Sequence, residues 1–132
     1  MTQENKELLL RDLCSRLPYG VKGVEANTLC SLNTVTRFKS IVKNIEYKIE
    51  HLGFKPYLFP LSSMTEEQKK ESPFESSLLN AFINGYISLF EDEELAIGDV
   101  VRMLEWLNKN HFDYRGLIEK GLAIDCTNLN IY

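Results

Sequence analysis

A chain of 132 residues that is 44% apolar and carries seven Phe can build one hydrophobic core without staples, which argues for a globular protein and against a disordered one. The net charge of −4 is unevenly spread: residues 1–60 hold nine Lys and Arg against six Asp and Glu, net +3, while residues 61–132 hold six against thirteen, net −7. Such a split bears on association with charged partners rather than on fold.

From Gln3 to Leu17, the residues Leu9, Leu13 and Leu17 recur at i, i+4 and i+8 with Leu10 and Cys14 beside them, which predicts an amphipathic helix. Thr2 is placed to cap it and Pro18-Tyr19-Gly20 to end it. Val21 to Tyr57 scatters Val, Ile, Thr and aromatics among single charges, with breaks at Gly23, Asn27, Asn33, Asn44 and Gly53; several short strands are predicted. Val35 to Phe38 and Ile45 to Ile49 alternate as half-buried strands do. An amphipathic helix from Arg37 to Glu50 competes, because Phe38, Ile41, Val42, Ile45 and Ile49 also repeat at three and four; strands are the reading adopted.

Gly53 to Gln68 is the seam of the chain. Pro56 and Pro60 fix φ and lack a donor, so Phe54 to Leu61 reads as extended chain at a sheet edge. Ser63 or Thr65 then offers a helix cap, with Glu66 or Gln68 three residues on to complete a capping box. Pro73 suits the first position of a new helix, predicted from Phe74 to about Ile83 on the period of Leu78, Leu79 and Phe82. Asn84-Gly85 is also a hairpin signal, which leaves Tyr86 to Phe90 open between helix and strand.

Glu91 to Glu94 reads as a solvated acidic connection. Asp99 is expected to cap a helix in which Val100, Met103, Leu104 and Leu107 form the buried stripe, with Trp106 on its flank about 120° from the centre. Asn108 to Phe112 turns the chain, Asp113 caps a short helix from Tyr114 to Lys120, and Gly121 ends it with Leu122 meeting Leu117. Leu129, Ile131 and Tyr132 can dock the segment after Ala123. Together these elements predict one α+β domain: an amino-terminal helix, a small antiparallel sheet or barrel over about 20–59, and a helical half over 63–124.

Cys14, Cys30 and Cys126 are an odd set at unrelated spacings, with neither a disulfide framework nor a zinc pattern. No apolar run approaches the roughly 18 residues of a membrane span, and Met1 to Asn5 is polar, so a soluble, cytoplasmic chain is expected.

Lys55 to Glu67, KPYLFPLSSMTEE, and Trp106 to Ala123, WLNKNHFDYRGLIEKGLA, resemble the signature blocks of a family of small uncharacterised proteins from prophages and mobile elements of gut anaerobic bacteria. Leu9 to Gly20, with its RDLC run and the LPYGV that follows, resembles the opening block. The resemblance implies a compact intracellular accessory protein and supplies no activity, ligand or cofactor. Lys22 to Gly53 and Ser72 to Ile97 carry none of it.

Of the possible chemistries, His111, Asp113 and Arg115 offer on paper a base, an orienting carboxylate and an anion clamp, but Asp113 also fits a helix cap and His111 a turn. His51 stands alone. Ser62-Ser63 lacks the strand-turn-helix elbow of a nucleophile, and Gly20 and Gly23 fit no phosphate loop. The expectation is therefore a binding protein without catalytic residue, metal or cofactor. A protein partner, met by Trp106, Phe112 and Tyr114 inside the acidic half, is favoured. The alternative is nucleic acid, met by Arg37, Lys39, Lys43, Lys48 and Lys55 interleaved with Phe38, Tyr47, Phe54 and Tyr57.

Overall fold

The computed structural model describes residues 1–25, 28–31, 38–91 and 95–132, of which 28–31 and 38–44 are described by their backbone alone. In chain order it runs α1 (Gln3–Arg16), a 3₁₀ turn (Leu17–Tyr19), β1 (Lys22–Glu25), β2 (Thr28–Ser31), α2 (Phe38–His51), β3 (Lys55–Pro60), a second 3₁₀ turn (Leu61–Ser63), α3 (Glu66–Glu71), α4 (Ser76–Ile83), α5 (Ile97–Lys109), β4 (Phe112–Asp113) and β5 (Ile124–Asp125). The class is α+β. Among the described residues no helix is long and apolar enough to cross a membrane.

The amino-terminal helix begins and ends where the sequence places it. Thr2 accepts a hydrogen bond from the Asn5 amide, and Gly20 at φ 68° stops the chain just past Pro18. The adopted strand at Ile45 to Ile49 is overturned: these residues lie in the helix α2. On a strand Ile45, Tyr47 and Ile49 share a face; here Ile45 and Ile49 are buried while Tyr47 is 55% exposed, as a repeat of four requires. The strand predicted at Val35 to Phe38 falls mostly outside the described residues, and Phe38 itself opens α2.

The sheet has the order β2-β1-β3-β4, with β5 also on β3. It is an open, mixed sheet rather than an antiparallel one or a barrel: β1 pairs antiparallel with β2 and β3, whereas β4 and β5 both run parallel to β3. The proline-bearing strand is therefore central and not an edge. Its prolines stand near its two ends, Pro56 second and Pro60 last, and the pairs with β5 fall between them on Tyr57 and Leu58. After it, the capping box predicted at the seam is formed by Thr65 and Gln68, each side chain bonding the other's backbone amide.

The end of α4 and the end of the turns after Asp113 share one device. Gly85 at φ 80° and Gly121 at φ 72° each sit in the left-handed position, and the amides of Tyr86 and Leu122 reach back to the carbonyls of Ala81 and Leu117. Asn84-Gly85 is thus the end of α4 and not a hairpin, and Tyr86 to Phe90 is neither helix nor strand but a run of bends and turns. The short helix expected at Tyr114 to Lys120 tightens into turns, although its cap at Asp113 and its glycine stop are both present. Asp99 does not cap α5; it lies inside the first turn, ion-paired with Arg102, and Ala96 takes the cap position. Nor does Pro73 open α4, which starts at Ser76.

Two apolar clusters form. One gathers Leu9 and Leu13 of α1 and Leu17 of the 3₁₀ turn after it with Ile45, Ile49, Phe54, Leu58 and Leu117; the other gathers Met64, Phe74, Leu79, Phe82, Met103, Leu107 and Phe112. β3 stands between them, since Leu58 packs into the first and the next residue, Phe59, against the second.

Candidate functional site

The polar groups of greatest burial lie where the two clusters meet. Asp12 and Arg16 are both fully buried, one helical turn apart on α1. Arg16 grips Asp12 with two bonds, Nε to Oδ2 at 2.7 Å and Nη2 to Oδ1 at 3.1 Å. The same Nη2 donates to the Phe112 carbonyl at 2.7 Å, which ties α1 to β4. Arg115 Nε lies 3.2 Å from Asp12 Oδ1, an ion pair whose angle leaves that N–H without a hydrogen bond. Both guanidinium groups stand over the Tyr114 ring, at 5.2 and 5.1 Å from its centroid, and the Tyr114 hydroxyl donates to Asn108.

His111 and Asp113 flank this arrangement without joining it. Asp113 accepts from the amides of Arg115, Leu117 and Ile118, so its carboxylate closes the turn that follows. His111 takes φ 62° and is only 8% exposed, its ring stacked on Tyr132 with centroids 3.5 Å apart. Burial, then the charges of Arg16 and Lys22, push its pKa down to about 4, so the ring is neutral at pH 7. Its Nδ1 is buried and without a hydrogen-bond partner, as is Nη1 of Arg16. The three residues named as a possible reaction centre are therefore near in sequence and separately employed: a cap, a stacked ring and an ion pair. Ser63 donates to the Pro60 carbonyl and closes a turn. Burial raises the Cys14 thiol, and raises Cys126 to about 11, so both stay protonated at neutral pH. Among the described residues no three His, Cys, Asp or Glu gather as a metal site.

The sequence-named contact residues disperse. Phe112 is 1% exposed and belongs to the core, so it is not available to a partner. Trp106 is half-buried and stacks on Phe112 at 5.6 Å, and Tyr114 has both arginines over its ring. We expect Trp106→Ala to cost roughly 2 kcal/mol, below the 3–5 of a fully buried ring, in a denaturant titration. A loss under about 0.5 kcal/mol would place the ring outside the packing and restore it as a free anchor.

The basic set does not make a strand face. Arg37 lies outside the described residues, Lys39 and Lys43 sit on the helix α2 with side chains outside them, Lys48 is ion-paired with Glu25, and Lys55 is exposed on β3. Missed in the sequence is another group: Tyr86 and Ile97, each 83% exposed, with Phe90 at 58% and Val101 at 47%. Four large apolar side chains stand in solvent within residues 86–101, and Ile97 and Val101 are neighbours at i and i+4 on α5. The signal was available for Val101, one residue off the buried stripe of Val100, Met103, Leu104 and Leu107. Comparison with protein-family models, with curated proteins and with solved structures finds no match to the chain.

Proposed function

We propose that this chain is a non-enzymatic protein-binding accessory module, whose partner is met by the connection before α5 and the outer side of that helix. The observation that carries this reading is the exposure of four apolar side chains within one short stretch, Tyr86, Phe90, Ile97 and Val101, of which Ile97 and Val101 share a face of α5. Single exposed apolar residues are ordinary on a soluble surface; grouped ones rimmed by charge mark contact sites. Charged residues share the same stretch of chain: Glu91, Glu105 and the ion pair of Asp99 with Arg102. An accessory role in a prophage or mobile element agrees with the sequence resemblance. The nucleic-acid alternative was built on a strand face, whereas Lys39 and Lys43 lie on α2 and Lys48 is paired with Glu25.

The test is a comparison of the wild-type chain with Ile97→Glu/Val101→Glu as baits in a nuclease-treated lysate of the native host. Both positions are exposed, so the double variant is expected to melt within a few degrees of wild type. A specific protein captured by wild type and lost from the variant, then bound by wild type when purified, supports the reading. Equal capture by both baits, or capture that vanishes with nuclease, overturns it.

A further inference from the structure

We infer that residues 127–132 form a latch that opens locally when the His111 imidazole takes up a proton, Tyr132 leaving the ring while the rest of the fold stays closed. This inference is independent of the partner-binding surface.

The latch is held at few points. The Tyr132 hydroxyl accepts from the Lys22 amide at 2.9 Å and donates to the Tyr57 carbonyl at 2.9 Å, while Lys22 Nζ donates to the Ile131 carbonyl at 3.0 Å. The amides of Leu129 and Ile131 close local turns onto Cys126 and Leu129. Cys126, fully buried and bonded through its amide to the Leu58 carbonyl, marks the hinge. Beyond it the segment is only partly covered: Leu129 is 46% and Tyr132 40% exposed. Opening therefore gives up the contacts of one ring, with His111, Phe59 and the Lys22 ammonium, and a few hydrogen bonds.

What that ring covers is a strained and unsatisfied group. His111 holds a left-handed backbone and its Nδ1 is buried without a partner. The charges facing it are cations, Arg16 from α1 and Lys22 from β1. From α5 it meets the neutral Asn108 through its amide, and from β3 the Phe59 amide on its carbonyl. The carboxylates of the neighbourhood are spent, Asp12 on Arg16 and Arg115, and Asp113 on three amides. Tyr132, raised to about 12, and Cys126, raised to about 11, supply no anion at neutral or acid pH. Among the described side chains an imidazolium here faces two cations and no unengaged carboxylate, whereas in the open latch it has water.

The sign follows from linkage. The closed-state pKa of about 4 lies below the 6.5 of a hydrated imidazole. The closed form is therefore fully favoured above about pH 6.5 and loses its advantage as pH falls toward 4. Between pH 7.5 and 4.5 the opening equilibrium should rise roughly 50- to 100-fold.

Amide exchange by NMR, corrected for intrinsic rates, reads this directly, because the Lys22 amide is bonded to the Tyr132 hydroxyl. In wild type the Lys22, Leu129 and Ile131 amides should lose protection on acidification by about that factor, ahead of the α1 amides of Leu9 and Leu13. His111→Asn, which keeps a side chain tolerant of positive φ and does not titrate in this range, should abolish the pH dependence. Tyr132→Phe, which retains the stack and loses the hydroxyl bonds, should open more at every pH with the slope unchanged. Latch and α1 amides that lose protection together, a wild-type pH profile in His111→Asn, or a flat profile in Tyr132→Phe each overturns the inference.

Discussion

Arg16→Met is expected to lower the unfolding free energy by about 3–5 kcal/mol, the loss that follows when one member of a buried ion pair is removed and the other stays behind. Asp12 would retain only Arg115, whose geometry gives it no hydrogen bond, and the Phe112 carbonyl would lose its guanidinium donor. Asp12→Leu should cost at least as much, because it leaves two guanidinium groups stacked about Tyr114 with no anion between them. The double variant Asp12→Leu/Arg16→Met should be less damaged than the sum of the two, since the buried charges leave together and the remaining Arg115 is partly solvated. Urea titrations of the four proteins measure this. A single-variant loss below about 1 kcal/mol, or strict additivity, would mean that water reaches the pair and screens it.

The pair is legible in the sequence only when charged residues are counted on the buried face of α1 beside the apolar ones. Positions 9, 12, 13, 16 and 17 are one complete helical face, all five buried, and two of the five are opposite charges four residues apart. Elements fixed by nearest neighbours were legible too: the Thr2 cap, the Thr65–Gln68 box and the glycine stop at Gly121 depend on four or five consecutive residues. α2 was ambiguous because a run such as Ile-Glu-Tyr-Lys-Ile satisfies a period of two and a period of four at once, and only the exposure of Tyr47 separates them. β4 and β5 were beyond reach: each is two residues long, and each exists because a distant strand offers a parallel partner. The contact residues failed for a related reason, since an aromatic such as Phe112 reads the same in sequence whether it ends in the core or in water.

Gly23→Ala is expected to cost about 3 kcal/mol or more, although it adds a single methyl group. Gly23 lies on β1 between two partners, opposite Cys30 on β2 and Pro56 on β3, so the strand has no free side toward which to shift. A Cβ at this position would stand 2.3 Å from Cζ of Phe54 and 2.5 Å from the backbone oxygen of Lys55. The ring is 1% exposed within the first apolar cluster, and the carbonyl is main chain, so neither contact is relieved by swinging the end of a flexible side chain. Phe54→Leu in the Gly23→Ala background separates the two clashes. It removes the ring and leaves the carbonyl, so it should recover only part of the lost stability, and at the further cost of a smaller core side chain. Full recovery would show that the ring alone demands glycine. A Gly23→Ala protein within about 0.5 kcal/mol of wild type would show that β1 and β3 part freely, and the close packing of β1 on Phe54 would then have to be abandoned.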